Sequence, residues 1–214
     1  MLARQFGFPV AVALVFVAVT SNLAEAAPRD IQIRTIDLEA STIELFNFGG
    51  EDEPLDGWRF CTHNESRSRI YSSSAGLNGV TVEAGTSLFI HLKDDSPGGS
   101  DNLNRAQIGA ITEIDRGPIA IGLYFPGEGF LSFDTTADIA DFLQWNIGGA
   151  PHPIADERSD EAAGPMGVWN DIDGWISTSE QTTKIVLTDE TGDFRHGVCD
   201  AGHVEEANDV PGGG

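Results

Sequence analysis

The sequence has few cysteines and none of the short motifs that mark the common enzyme classes. Only two cysteines occur among 214 residues, so the chain does not belong to the small scaffolds that several disulfides hold together. It also contains no Gly-x-Ser-x-Gly elbow, no His-Glu-x-x-His pair, no Walker loop and no dinucleotide-binding fingerprint. These absences exclude the recognisable forms of serine hydrolases, zinc proteases and nucleotide-binding enzymes.

Basic residues are scarce relative to acidic ones. The sequence has 12 lysines and arginines against 34 aspartates and glutamates, which gives a formal net charge of −22. The acidic residues are spread along the chain, and so large a negative charge repels phosphate backbones and anionic lipid surfaces. We therefore expect a solvated acidic surface and no nucleic-acid partner.

A single long apolar run occurs, near the N-terminus. It extends from Phe6 to Val19, follows Arg4 and precedes the small residues around Ala24 and Ala26, an order typical of a secretory signal peptide. The run is shorter than the ~20 residues that a spanning helix needs, so we expect residues 1–26 to be removed rather than retained as an anchor. The predicted location is secreted, either extracellular or periplasmic, with no membrane span after signal removal.

Residues 27–208 are predicted to form one all-β domain, followed by a disordered glycine-rich tail at 209–214. Short apolar or alternating runs of about four to eight residues, separated by turn-forming residues, are typical of an antiparallel sandwich or barrel. Ile119–Phe125 is apolar on both faces and is expected to be a central strand. Ile154–Ala163 is either a helix ended by Gly164 or an irregular loop. The predicted strands are Ile31–Ile36, Thr42–Phe48, Trp58–Thr62, Arg69–Ser72, Gly79–Val82, Ser87–Leu92, Ile108–Ile114, Ile119–Phe125, Phe130–Phe133, Ile139–Trp145, Gly174–Thr178 and Lys184–Thr188.

Four segments together resemble the lamin-tail domain family. Thr42–Asn47, Pro54–Phe60 and Val82–Ile90 are similar to successive strands and turns of that family, and Ala140–Trp145 looks like a strand of its exported bacterial members. The chain departs from the pattern before Gly57 and in the long insertion at 93–105. The resemblance implies an immunoglobulin-like antiparallel β-sandwich in which the motif positions are structural. These positions are Glu44, Asn47, Gly57, Trp58, Gly85, Asp141 and Trp145.

The same resemblance implies a non-enzymatic binding or structural module whose partner is a protein or an extracellular polymer, with no required cofactor. The acidic turn between Gly49 and Trp58 is then expected to be a solvated strand connection rather than a metal site. Trp58 and Trp145 lie at motif positions and should be buried, whereas Trp169 and Trp175 flank a turn and are expected at the surface.

Cys61 and Cys199 are expected to form one disulfide, because an exported chain meets an oxidising environment. Closing so long a loop stabilises a fold by roughly 4 kcal/mol in the chain-entropy model. The alternative is a zinc site, since His63, His196 and His203 accompany the two cysteines and supply tetrahedral ligands.

Two acidic loops are candidates for Ca²⁺. Asp171 and Asp173 precede Gly174 in part of an EF-hand pattern, although Trp169 occupies the first position, where a carboxylate is required. This segment is also a natural hairpin turn. The second candidate loop has no fixed ligand spacing and contains Asp94, Asp95 and Asp101.

The sequence leaves two further functions open. The acidic loops are compatible with a Ca²⁺-assisted carbohydrate or matrix adhesin. A hydrolase with an unrecognised site is the second alternative, and Ser72–Ser74 near His63 supply a nucleophile and a base for it, although three serines before Ala75 are also a simple loop.

Overall fold

The computed structural model describes residues 30–64, 76–93, 99–109, 113–126, 138–152, 168–169, 174–187 and 201–206. These residues form twelve β-strands and one helical turn, so the predicted all-β class is confirmed. The elements are β1 Ile31–Asp37, β2 Thr42–Asn47, β3 Glu53–Pro54, β4 Arg59–Asn64, β5 Thr81–Val82, β6 Ser87–His91, β7 Asn102–Asn104, α1 Arg105–Ile108, β8 Ile119–Tyr124, β9 Ile139–Ile147, β10 Ile176–Thr178, β11 Thr182–Leu187 and β12 Ala201–Glu206.

The described strands form three sheets. The largest has the order β12-β11-β1-β2-β6-β7, the second has the order β10-β9-β8-β4, and β3 pairs with β5 alone. Most pairs are antiparallel, but β6 with β7 and β9 with β10 are parallel. The prediction of a wholly antiparallel arrangement is wrong at these two pairs, because each of their connections carries the chain back to the end of the sheet where the preceding strand began.

The buried face of the six-stranded sheet is a ladder of branched aliphatic side chains. Ile36 lies opposite Ile185 on one side and Ile43 on the other, and the row continues through Ile90 to Leu103. All five are almost completely buried and belong to one hydrophobic core with residues of the four-stranded sheet. Branched side chains pack well on a pleated surface, so this row defines the inner face.

Strand β8 confirms the expectation of a central strand. All six of its residues are buried, and it pairs with β4 and β9. Because successive side chains point to opposite faces, complete burial requires that both faces of this sheet are covered. The six-stranded sheet differs, since the alternate residues of β2 and β6 are only partly buried.

A β-bulge in β1 lies beside a hydrogen bond between the two larger sheets. The pairing with β2 shifts between Ile33 and Thr35, leaving Arg34 as the extra residue. Near this irregularity, the backbone N–H of Ile33 donates to Oδ2 of Asp141 in β9 at 2.7 Å. The bulge also explains why Ile33 and Ile36, three residues apart, are both buried.

The predicted strand at 108–114 is wrong at its start, because Ile108 ends α1 and Gly109 is left-handed, with φ of 74°. Asn104 and Gln107 form a capping box, in which each side chain bonds the other residue's backbone. The spacing of Asn104 and Gln107 in the sequence indicates a helix start, but the apolar run at 108–114 has the appearance of a strand. The sequence also failed to indicate β3, β7 and β12, since the first two are very short and β12 is rich in polar residues.

Several predictions lie outside the described residues. They are the signal peptide at 1–26, the strands Arg69–Ser72 and Phe130–Phe133, the helix or loop Ile154–Ala163, and the tail at 209–214. Within the described ranges, no helix has the length and apolar character needed to cross a membrane.

Candidate functional site

Asn47 ties the acidic turn to the neighbouring strand. Its side chain is fully buried and donates from Nδ2 to the carbonyls of Glu51 and Val82, both at 2.9 Å. Its Oδ1 accepts the N–H of Gly49 at 2.8 Å. The Asn47 backbone carbonyl also accepts the N–H of Gly85, whose φ of 69° suits glycine. Asn47 therefore fixes both the acidic turn and the backbone at Gly85.

The acidic turn uses two of its carboxylates as acceptors for backbone N–H groups. Asp52 Oδ1 accepts the N–H of Ala84 at 3.0 Å, and Asp56 Oδ1 accepts the N–H of Gly79 at 2.7 Å. Burial, with a smaller contribution from Asp30, raises the pKa of Glu53. The acidic turn is therefore bonded to residues 79–84 through its carboxylates. The sequence predicted only a solvated strand connection at this place.

Gly57 and Trp58 complete the turn. Gly57 has φ of 79°, and a Cβ there would lie 2.8 Å from Cβ of Pro126. Its N–H donates to Asn78 Oδ1 at 2.8 Å. Trp58 is buried as expected and meets Phe125 edge to face, with ring centroids 4.8 Å apart.

The prediction that Trp169 and Trp175 lie at the surface is wrong. Both are buried, and Trp169 packs against Phe142 of β9 with ring centroids 5.6 Å apart. Because the four-stranded sheet is covered on both faces, aromatic residues beside it become core. Trp145 is buried as predicted and donates its indole N–H to the carbonyl of Asp115 at 2.9 Å. None of the four tryptophans offers an exposed stacking platform.

Asp141 and Glu44 both act across strands. Asp141 is 3% exposed, and in addition to its bond from Ile33 it accepts the N–H of Phe142 at 2.8 Å. Glu44 accepts the hydroxyl of Ser87 at 2.6 Å and lies 3.9 Å from Arg34. Asp141 is therefore structural, whereas Glu44 lies on the partly exposed face of its sheet.

Only one of the predicted Ca²⁺ ligands falls in the described part of the chain. Asp101 is exposed and borders a pocket of about 280 Å³ that also contacts Glu83. Asp94, Asp95, Asp171 and Asp173 lie outside the described residues. Among the residues that are described, no group of three or more His, Cys, Asp or Glu side chains is arranged to hold a metal.

The disulfide and the zinc site stay predictions. Cys61 is buried in β4, while Cys199 and His196 lie outside the described residues, as do Ser72–Ser74. His63 and His203 are described in their backbone only. Strand β4, which contains Cys61, and strand β12, which begins two residues after Cys199, belong to different sheets. Titration of free thiols in the unfolded, unreduced protein tests the disulfide directly.

The outward face of the six-stranded sheet carries a groove that sequence reasoning missed. This outer groove has a volume of about 390 Å³ and crosses β11, β1, β2 and β6. Glu44 was the only one of its residues singled out beforehand, although alternation in these strands already marked one polar face. The lining residues are Thr35, Asp37, Ala40, Thr42, Glu44, Phe89, His91, Lys184 and Val186.

Strand register arranges this lining in two parallel rows. The first row crosses the sheet in the order Lys184, Asp37, Thr42 and His91. The second crosses it in the order Val186, Thr35, Glu44 and Phe89. The first row is thus entirely polar. The second row combines a carboxylate and a hydroxyl with an aliphatic and an aromatic side chain.

Hydrogen bonds orient Thr42 and His91 of the first row. His91 Nδ1 is 3.1 Å from Thr42 Oγ1, and His91 Nε2 is 2.9 Å from Asn102 Oδ1. A neutral imidazole protonated on Nε2 satisfies both contacts, donating to the amide oxygen and accepting from the hydroxyl. Lys184 Nζ lies 3.7 Å from Asp37 Oδ2. Both ring nitrogens of His91 are engaged, so the oxygens of Asp37 and Thr42 and the Lys184 ammonium are the polar groups of this row with capacity for further hydrogen bonds.

The same contacts set a hydroxyl, an imidazole and an amide in the order used by nucleophilic hydrolases. Acyl transfer also needs donors for the developing oxyanion, and backbone N–H groups usually supply them. The central strands β1 and β2 direct their backbone groups to paired strands on both sides, so the groove offers side chains instead.

The chain was compared with models of known protein families and with curated proteins, and neither comparison finds a match. The site's own geometry therefore carries the functional argument.

Proposed function

We propose that this protein is a binding module whose contact surface is the outer groove. The observation that carries the proposal is that four adjacent strands bring eight side chains, together with Ala40 of the β1–β2 turn, to one concave surface of about 390 Å³, a size typical of ligand sites. Six of the nine lining residues are polar, and Ala40, Phe89 and Val186 supply the apolar contact surface. Its mechanism is surface complementarity and involves no covalent step.

We further propose that the module is secreted and is an immunoglobulin-like sandwich similar to lamin-tail domains. Support comes from the motif positions, because Asn47, Gly57, Gly85 and Asp141 each make the kind of buried or turn contact that a structural motif requires. The contact between β1 and β9 further supports two facing sheets. The proposed partner is a protein or polymer at the cell surface or outside the cell.

A groove-filling variant tests the proposal. Ala40 is exposed at the rim of the outer groove, so Ala40→Trp fills the groove without changing a sheet residue. Ala150 is also exposed and lies elsewhere, so Ala150→Trp is the matched control. We expect the wild type and the control to bind washed cells or an extracellular matrix preparation, and Ala40→Trp to lose that binding. Equal binding by all three proteins would refute the assignment of the groove.

The second candidate is a hydrolase in which Thr42 is the nucleophile and His91 is the base, which Asn102 orients. The observation in its favour is the hydroxyl–imidazole–amide chain. Thr42→Val retains the shape of the side chain and removes the nucleophile. Turnover of simple ester substrates that this variant abolishes would establish the hydrolase, whereas a binding module shows no turnover that depends on Thr42.

A further inference from the structure

We propose that the outer groove binds an uncharged polysaccharide, an inference that rests on the proposed binding function and names its ligand class. Three properties of the groove lead to this chemistry. Its charges are paired within the protein, its aromatic contact stands among polar groups, and its donors and acceptors are side chains that neighbouring residues already orient.

Each carboxylate of the lining faces a basic side chain. Asp37 lies 3.7 Å from Lys184, and Glu44 lies 3.9 Å from Arg34, so both lining carboxylates are paired within the protein. The chain as a whole carries a formal charge of −22, which repels an acidic polymer approaching any face. A ligand without charge meets neither obstacle, because it needs no local counter-ion and feels no long-range repulsion.

Phe89 provides the apolar contact. It is the aromatic side chain of the lining, it is partly exposed, and it occupies the second row beside Glu44. Across the groove stand Thr42 and His91 of the first row. A sugar ring has an apolar face and a rim of hydroxyls, so it matches an aromatic surface bordered by hydrogen-bonding groups. A purely apolar ligand would instead leave those polar groups without water.

The polar lining also suits hydroxyls, which both donate and accept. Carboxylates such as Asp37 and Glu44 accept several hydrogen bonds, and the Lys184 ammonium donates up to three. The bond from Ser87 orients Glu44 and the contact with His91 orients Thr42 before a ligand arrives, which lowers the entropic cost of binding.

An extended peptide is a poorer occupant. Peptides that bind sheets gain affinity through backbone hydrogen bonds at a free strand edge. Strands β11, β1, β2 and β6 all have a paired strand on each side, so the outer groove lies on the face of the sheet and away from its edges. Recognition there depends on side chains, as it does for a sugar polymer lying across the strands.

Affinity electrophoresis in native gels tests this proposal. The wild-type protein is run through gels containing neutral polysaccharides, namely dextran, starch, galactomannan and a mixed-linkage β-glucan, and through gels containing alginate or hyaluronan. We expect retardation by at least one neutral polymer and by neither acidic one. Binding should stay unchanged between about 0.05 M and about 0.5 M NaCl, because screening affects only ionic contacts.

Two phenylalanine variants locate the binding. Phe89→Ala removes the aromatic contact of the groove, and Phe48→Ala changes a partly exposed phenylalanine that does not line it. We expect Phe89→Ala to weaken binding about tenfold and Phe48→Ala by less than about twofold, as for a central contact and a peripheral one. Phe89→Tyr should keep the affinity because it retains the aromatic ring, and a cooperative melting transition of Phe89→Ala excludes loss of folding as the cause.

Three results would overturn the inference: no retardation by any neutral polymer, equal or stronger retardation by an acidic polymer, or equal effects of the two alanine variants. Matrix binding that Ala40→Trp abolishes, without retardation by any neutral polysaccharide, would leave the binding module standing and refute only its ligand class. Glycan retardation that Ala40→Trp does not change would refute both assignments of the groove.

Discussion

Asn47 offers the sharpest test of how the acidic turn is held. Its side chain is fully buried and makes three hydrogen bonds, two donated by Nδ2 and one accepted by Oδ1. Asn47→Ala removes all three and leaves the carbonyl of Val82 buried without that donor. Each bond contributes about 1 kcal/mol net, and an orphaned buried acceptor costs more, so we expect a loss of about 2–4 kcal/mol.

Asn47→Asp is a more demanding version of the same test. It preserves the shape and the acceptor for Gly49, but it places a carboxylate oxygen against the carbonyls of Glu51 and Val82. A buried carboxylate facing two acceptors has a raised pKa. The native state then binds more protons than the unfolded state, so the penalty grows as pH rises above the unfolded value of about 3.9 and shrinks below it.

Urea denaturation at pH 7 and at about pH 4 measures both effects. The control is Asn78→Ala, because Asn78 is exposed and accepts one bond from Gly57, so its loss should cost less than about 1 kcal/mol. If Asn47→Ala lies within about 0.5 kcal/mol of the wild type, or if Asn47→Asp is equally destabilised at both pH values, the hydrogen bonding described for this turn is wrong.

Three further predictions concern the core, a turn and a titrating side chain. Trp145 donates its indole N–H, whereas the indole N–H of buried Trp169 meets no acceptor among the described residues. Trp145→Phe should therefore lower the free energy of unfolding in urea by about 1–3 kcal/mol more than Trp169→Phe does. Equal losses would contradict this account. Gly57→Ala should lower the melting temperature more than Gly79→Ala, since both have positive φ but only Gly57 has an atom within 3 Å of the added Cβ; the reverse order would refute the close contact. Burial raises the pKa of Glu53, so Glu53 holds its proton more tightly in the native state than in the unfolded state, and its contribution to stability falls as pH rises above 4.5. Glu53→Gln should therefore stabilise the protein at pH 7 and leave it unchanged below about pH 4, and an unaltered melting temperature at pH 7 would exclude the shift.

The outer groove connects the fold to the proposed function. A sheet with one buried and one solvent-exposed face tolerates substitutions on the exposed face without loss of the core, because alternate residues of each strand belong to different faces. In β2, Ile43 packs inward while Thr42 and Glu44 face the groove. Substitutions in the groove should therefore alter binding more than stability, which makes the variants described above interpretable.

Sequence reasoning succeeded where the signal is local. The alternation of β2 and β6 and the double apolar faces of β8 lie within single strands, and the structure confirms all three elements. It failed for Trp169 and Trp175, because their neighbours gave no sign of what covers them. It also mistook the first residue of 108–114 for strand, since an apolar run has the same appearance in a short helix and in a strand.

The sequence by itself determined the all-β class, the position of most strands and the negative charge, since these follow from residue type and short-range periodicity. Only the tertiary structure decided which side chains stand together on the outer face. Thr42 meets His91 across 49 residues of chain, and Asp37 meets Lys184 from near the other end of the domain. Register between distant strands places them, and it depends on the packing of the isoleucine ladder beneath, which no local pattern specifies.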